Sequence, residues 1–425
     1  MPKPLVTVIG KTVKRFAKLR GGGSALPGLV VERIDPNFVS ETLSQIPLGV
    51  VVISGTNGKT TTTKMVAQIL EGQGLKVFTN KTGSNFTRGV IAALLGEIDI
   101  YGKLDADIAI LELDEAHAVN FVKKIKPRYS LILNVMRDQL DRFGEIDKTA
   151  EMLKQVAINT QKAVILNRED PRILGIAKHI EKASVNFFGL GSRMKKMFPN
   201  DDEIHSGVSE AKQDVSALVK LTDFDPQTNI AKFEIGKNDI DAKLKLNGLY
   251  NVFNAAAALA LITKILGDSI NKENLVKSLS KITPAFGREE KIILNGKDIE
   301  LVLVKNPSGF QLALQSFKPE DYATMIAIND NYADGRDMSW LWDVDFSSLK
   351  DMDISQISGM RAYDMALRLN YDDVKFKRIN VKVKKALKTF LDNNEDKNKR
   401  IYCTYTAMLK IRRELSKITK VKDVG

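Results

Sequence analysis

The stretch LGVVVISGTNGKTTTTKMVAQIL, residues 48–70, constrains the fold of this chain more than any other. A short, β-branched apolar run breaks at two glycines and passes at once into a helical pattern. It reads as buried strand, glycine turn, helix. Gly55 and Gly58 let the backbone approach an anion closely, and the amides of the loop and of the helix start point at it. Lys59 can reach the β- and γ-phosphates of a nucleotide, and Thr60 offers a hydroxyl to Mg²⁺. The spacing departs from the usual phosphate loop, because Ile53 stands where a first glycine falls. Gly55, Thr56, Asn57, Gly58, Lys59, Thr60 and Thr61 are the candidate nucleotide-binding residues.

The strand–helix alternation continues. KVFTN (76–80), ADIAILEL (106–113), YSLILNV (129–135) and KAVILN (162–167) are β-rich runs with helical segments between several of them. Such alternation implies a parallel sheet with helices on its faces. In such sheets ligands sit beyond the carboxyl ends of the strands. Glu112, at the end of one buried run, is therefore a candidate Mg²⁺ ligand with Thr60, and Asp138 and Asp141 follow the next run. From about residue 192 to 244 the text turns polar, with short alternating runs that read as a small β insertion. ITPAFGREEKI (282–292) carries the Pro and Gly of a boundary, and a second, smaller α/β pattern follows. The expected domains are a basic N-terminal helix and linker (1–45), a central nucleotide-binding domain (46–290) and a C-terminal domain (291–425).

Composition narrows the functional classes. The 425 residues carry a formal net charge of +12, which suits phosphorylated ligands, nucleic acid or an anionic membrane face. No nucleic-acid-binding signature accompanies it, so nucleic acid is not an expected partner. A single cysteine, Cys403, excludes an intrachain disulfide or a cysteine-rich zinc site and fits a reducing cytoplasm. No apolar run reads as long enough to span a bilayer. The first twenty residues read as a basic amphipathic helix, placed against either the inner membrane face or the protein core.

The motifs GTNGKTT, LELDEAH, NVMRDQLDR, LNREDP, NGLYNVFNAAAALA and FGREEK occur in the order found in the Mur ligase superfamily, which includes folylpolyglutamate synthetase. The resemblance implies a Mur ligase-like central domain that binds ATP and Mg²⁺. It places Asn251, Asn254, Asn167 and Asp170 near the nucleotide and Arg288 on the γ-phosphate. LVKNPSGF (303–310) and NDNYADGRDMSWLWDVDF (329–346) resemble the C-terminal domain of the MurT family. These are ligase-like subunits of lipid II isoglutaminyl synthase that work with a GatD-type glutaminase. The resemblance then implies ATP-driven amidation of the α-carboxyl of D-glutamate in the lipid II stem peptide.

Departures matter too. The loop begins at Gly55, without the hundred or so preceding residues that bind the UDP end of soluble precursors in typical Mur ligases, which favours a lipid-linked substrate. Gln139 stands where many relatives have a histidine. Leu153 stands where some carry a carbamoylated lysine, so that role is not transferred to Lys154. The zinc ribbon of many MurT chains cannot form.

A glutaminase needs a thiolate, a histidine base and a group to orient that histidine. This chain offers His117, His179, His205 and one distant cysteine, so the Cys–His pair must belong to another subunit. An aspartate in ADGRD could complete that triad in trans. Asp337 is the favoured candidate and Asp334 the other. Trp340 and Trp342 are expected as buried anchors or interface groups, and Asp343 and Asp345 as turn caps. Two other readings stand beside this one: a folylpolyglutamate synthetase-like ligase, and a non-catalytic, ATP-responsive scaffold for a glutaminase.

Overall fold

The computed structural model describes residues 4–19, 26–80, 86–136, 146–195, 215–245, 249–283, 288–316 and 322–421. The side chains of Lys18, Arg288, Glu289 and Ser316 lie outside that description. Contacts divide the chain into two compact units, residues 1–135 with 147–283, and residues 136–146 with 284–425.

The first unit opens with three helices, α1 (Pro4–Leu19), α2 (Leu26–Ile34) and α3 (Phe38–Leu43). Alternating elements follow: β1 (Val50–Ser54), α4 (Lys59–Gly72), β2 (Val77–Thr79), α5 (Thr87–Glu97), β3 (Ile108–Glu112), α6 (Glu115–Lys124), β4 (Tyr129–Ile132), α7 (Ile146–Ile158), β5 (Ala163–Asn167), α8 (Pro171–Ile176) and β6 (Ser184–Leu190). Then come β7 (Val219–Asp225), β8 (Ile230–Ile235), β9 (Asn238–Lys243), α9 (Leu249–Leu266) and α10 (Lys272–Leu279). The strands form one nine-stranded sheet in the order β2-β3-β1-β4-β5-β6-β7-β8-β9. Pairing is parallel from β2 to β7 and antiparallel from β7 to β9. The β segment expected as an insertion thus continues the main sheet, because β7 pairs with the edge of β6 and carries the β8–β9 hairpin.

The central strands are buried along their whole length, as β1 and β3 show. That burial is why the sequence reads as continuous apolar runs there rather than as alternation. One expectation needs correcting. Residues 249–269 form a helix long and apolar enough to cross a membrane by length and composition alone. Most of that helix is buried: α9 packs its Ala-rich length, from Val252 to Ile262, into the core against α4 and the sheet.

Helix α1 is amphipathic, and it packs on the body of its unit. A Cβ at Gly10 would lie 2.6 Å from Val31 Cγ2 and 2.7 Å from Leu95 Cδ2, so α1 approaches α2 and α5 closely. Lys11 Nζ donates to the Ile98 carbonyl (2.6 Å) and Lys14 Nζ to the Ala92 carbonyl (2.8 Å). Both lysines therefore serve the C-terminal half of α5, where cations are favoured. The opposite face of α1 leaves Leu5, Val8, Phe16 and Leu19 exposed.

The second unit holds β10 (Arg288–Leu294), β11 (Lys297–Leu303), α11 (Pro307–Ser316), β12 (Tyr322–Ala327), β13 (Gln356–Ser358), α12 (Ala362–Tyr371), β14 (Ile379–Asn380), α13 (Val383–Asp392), β15 (Asn398–Cys403) and α14 (Tyr405–Leu415). Its six strands run β10-β11-β15-β12-β13-β14, and only the β10–β11 pair is antiparallel. Each face of this sheet has its own core. One gathers Phe310, Trp340, Phe346 and Tyr402. The other gathers Phe390, Ile401, Cys403 and Met408 under α13 and α14.

Candidate nucleotide site

The order of the first sheet places β1 between β3 and β4, so the chain reverses its direction of winding beside β1. That switch point is where a doubly wound sheet opens a crevice for ligands, and the Gly55–Gly58 loop leaves β1 there. The loop's conformation demands its glycines. Gly55 has φ +134° and Gly58 φ +86°, which L side chains rarely adopt. A Cβ at Gly55 would meet the Asn134 backbone N and O, each at 3.0 Å. At Gly58 it would meet the amide group of Asn254 at 2.8 Å. No side chain caps α4 at Gly58, so the start of that helix suits an anion.

The loop is held from the end of β4. Thr56 N donates to the Asn134 carbonyl (3.0 Å), Asn57 N to Asn134 Oδ1 (2.8 Å), and Asn134 Nδ2 to the Asn57 carbonyl (3.0 Å). Lys59 is only 5% exposed. Its Nζ donates to the Gly55 carbonyl (2.6 Å), and Glu115 Oε1 and Asp114 Oδ1 lie 3.3 and 3.8 Å away. Burial pushes the Glu115 carboxyl up to about 8. The Lys59 ammonium opposes that shift, while Asp114 adds to it.

Thr60 Oγ1 donates to Glu112 Oε1 at 2.8 Å. Glu112 is positioned by Asn80, which exchanges two hydrogen bonds with the Glu112 backbone at 2.8 and 2.9 Å. A hydroxyl and a carboxylate side by side at the head of α4 are the hard oxygen donors Mg²⁺ takes alongside phosphate and water. The pair therefore fits that ion.

Thr61 is buried in the first turn of α4. Asn254 stands beside Gly58, and Asn251 lies one turn earlier on α9, half-buried. Asn167 and Asp170 lie at the carboxyl end of β5, where both bind backbone. Asn167 Nδ2 donates to the Leu133 carbonyl (2.8 Å). Asp170 accepts from Val135 N (2.7 Å), Arg172 N (3.0 Å) and Ile173 N (3.2 Å), capping α8. Burial nonetheless pushes the Asp170 carboxyl up to about 6. Both residues thus shape the edge of the crevice through the ends of β4 and β5. Asp138, Gln139 and Asp141 lie outside the described residues, and Arg288 enters only as backbone at the head of β10. Leu153 is fully buried in α7, and Lys154 pairs with Glu151.

Sequence reasoning passed over Glu115, Asn134 and Asn80. The first two lie within motifs already singled out, LELDEAH and NVMRDQLDR. Their roles appear only once β3 and β4 are set in register beside β1.

In the second unit the two aspartates of ADGRD differ sharply. Asp334 is 3% exposed and accepts from Thr406 N (2.6 Å), Thr406 Oγ1 (2.5 Å) and Asn331 N (3.1 Å). It ties the loop after β12 to the head of α14. Asp337 is half-buried, and its Oδ1 accepts from Ser339 N (2.9 Å) in a local turn. Asp345 likewise caps a turn, at Ser347 N (2.8 Å). Trp340 is buried, whereas Trp342 is 46% exposed and packs edge-on against Tyr371 at 5.1 Å. Cys403 is fully buried in β15. Burial, with Asp334 nearby, pushes its thiol above the usual range, the opposite of what a nucleophile needs. His117 stacks against Phe86 at 4.2 Å, His179 is exposed, and His205 lies outside the described residues.

Comparison with known proteins agrees with this geometry. Two family models match, the Mur ligase middle domain over residues 53–262 and MurT ligase C-terminal over residues 303–408. The chain is 31% identical to the lipid II isoglutaminyl synthase (glutamine-hydrolyzing) subunit MurT of Streptococcus pneumoniae, across 93% of each chain. Among solved structures it resembles MurF from Acinetobacter baumannii (TM-score 0.68, 18% identity, 91% of this chain and 80% of that one). It also resembles Thermotoga maritima MurF in complex with ADP (TM-score 0.63, 17% identity, 89% and 82%). A buried phosphate-loop lysine, a Thr–Glu pair beside it and a matching C-terminal unit thus coincide with near full-length similarity, and the chain belongs to the MurT family of ATP-dependent ligases on the Mur ligase fold.

Proposed function

We propose that the chain spends ATP to convert the α-carboxyl of D-glutamate in the lipid II stem peptide to the amide, D-isoglutamine, using ammonia made by a separate GatD-type glutaminase. The reading rests on the loop that holds Lys59 beside the Thr60–Glu112 pair at the sheet's switch point, and on the name carried by the pneumococcal relative. The substrate carboxylate attacks the γ-phosphorus, ADP departs, and an acyl phosphate forms. Ammonia then attacks the acyl carbon, and phosphate leaves with the carbon–oxygen electron pair. In the phosphoryl transfer Lys59 serves as a positive charge that phosphate oxygens draw away from the Gly55 carbonyl and Glu115. Thr60 and Glu112 would hold Mg²⁺, which neutralises phosphate charge when bound. Arg288 takes the γ-phosphate role that the family resemblance gives it.

The glutaminase reaction belongs to the partner, since a buried cysteine with a raised thiol pKa cannot be its nucleophile. Asp337 is the residue we assign to the partner's histidine. It is half-exposed and makes only a local turn bond, whereas Asp334 is committed to α14. Exposed Trp342, Tyr363 and Tyr371 offer the aromatic surface that protein interfaces favour. The exposed apolar face of α1, with Leu5, Val8, Phe16 and Leu19, supports a position at the inner membrane face, where a lipid-linked substrate would be found.

The test is Lys59→Ala in the assembled complex. Amidation of lipid II is expected to fall by about a hundredfold or more, with the thermal midpoint within a few degrees of the parent. Near-parental amidation by this variant overturns the nucleotide assignment.

A further inference from the structure

The second unit contains a groove that the ligase reading does not use. It runs along α13 and past the end of α14, with a volume of about 740 Å³, within the range of pockets that enclose small ligands. Its apolar surface comes from Leu294, Leu387, Leu391 and Ile418. Six lysines and three carboxylates also line it, a surplus of three positive charges. Glu414 is engaged already, 2.7 Å from Lys417 and 3.9 Å from Lys384.

Two features make this more than a solvated basic face. The first is Lys399. Along β15 the side chains of Lys399, Ile401 and Cys403 share one face of the sheet, and the latter two lie in the core under α13 and α14. The strand pattern therefore calls for an apolar residue where Lys399 stands. It is 2% exposed, and its ammonium donates to the Lys397 carbonyl at 2.7 Å. Among the described residues no carboxylate lies within ion-pair distance of it. Its neighbour Arg400, on the other face, pairs with Glu300 at 2.9 Å. Burial lowers the Lys399 pKa; Asp396 opposes that shift, Lys297 adds to it, and Glu395 opposes it least. A buried ammonium with no carboxylate at ion-pair distance is costly, and an anion bound in the groove would relieve it. The second feature is the head of α13. Lys384 and Lys385 occupy its first turn, Lys382 precedes it, and no acidic residue stands there. Cations are disfavoured at a helix N-terminus, so these lysines add to the demand for an anion.

We propose that this groove binds an anionic lipid, with its phosphate among the groove lysines and its chain along the leucines and Ile418. A purely polar anion has no use for the apolar surface, and a neutral apolar ligand has none for the unpaired Lys399. The groove belongs to the second unit and the nucleotide loop to the first, and its test needs no catalysis.

Calorimetric titration of the full chain with dihexanoyl phosphatidylglycerol, kept below its micelle concentration, should give one saturable site. Inorganic phosphate and dihexanoyl phosphatidylcholine should bind at least about tenfold more weakly, roughly 1.4 kcal/mol. Lys385→Gln with Lys388→Gln, both exposed on α13, should weaken phosphatidylglycerol by about tenfold or more. Lys399→Met should do the same while raising the thermal midpoint of the lipid-free chain. Phosphate binding as tightly as phosphatidylglycerol would reduce the site to a simple anion site and overturn the proposal. So would equal affinity for the choline lipid, or parental affinity in the double variant.

Discussion

At the scale of single residues, the site separates groups that reach outward from groups that hold others in place. Asp337 and Asp334 lie three residues apart, yet only one is available to a partner. Asp337→Asn is expected to lower glutamine hydrolysis by the complex by about a hundredfold or more, since an orienting carboxylate fixes the histidine tautomer. Amidation from added ammonium should stay near parental. Loss of both activities together would place Asp337 in the ligase site instead. Glu115 gives a second prediction. Its folded pKa, about 8, lies above the ordinary carboxylate value of 4.5. The folded state therefore holds the extra proton between those two values, and stability falls as pH rises through that window. Relative to the parent, Glu115→Gln should gain stability from pH 5 to pH 8, by roughly 1–3 kcal/mol. Denaturant titrations at the two pH values read it, and a constant offset between the proteins would contradict the assignment. Sequence alone could not have found Glu115. Glycine, lysine and threonine in the loop are a local signal, spaced within six residues. Glu115 meets Lys59 across 56 residues, only because Glu112 pairs with Ile53 in the sheet.

At the scale of elements, the helix and strand patterns were legible wherever burial was one-sided or continuous. The first strand–loop–helix and the parallel strands both stood in the text. Helices α2 and α3 did not, because Pro27 and Gly28 in the first turn of α2 look like punctuation. Gly28 is there because a Cβ would lie 2.0 Å from the Arg88 carbonyl, so α2 and α5 meet backbone to backbone. Helix α1 shows the same limit. Its charge and amphipathic pattern were plain, but Lys11 and Lys14 turn inward to α5 and its apolar stripe outward. Phe16→Glu with Leu19→Glu should therefore lower binding to vesicles containing anionic lipid by about tenfold or more. Both sites are exposed, so the fold should persist. Flotation equal to the parent would show that the stripe does not face a membrane.

At the scale of the whole molecule, each of the two α/β units carries one candidate site. The phosphate-type loop lies at the switch point of the nine-stranded sheet in one, and Asp337 lies on the loop that leaves β12 in the other. The family motifs were readable in each unit separately, since each keeps its own short signature. Sequence could not give the register that brings Asn134 to the loop and Asn80 to Glu112, nor the burial that separates Asp334 from Asp337. The most direct test of the central claim is mass spectrometry of lipid II after incubation with the complex of this chain and its glutaminase. With ATP and either glutamine or ammonium, the stem peptide should exchange one hydroxyl for one amino group at its D-glutamate, and without ATP it should not. Amidation that proceeds without ATP, or that never occurs with both ATP and ammonium present, would contradict the account.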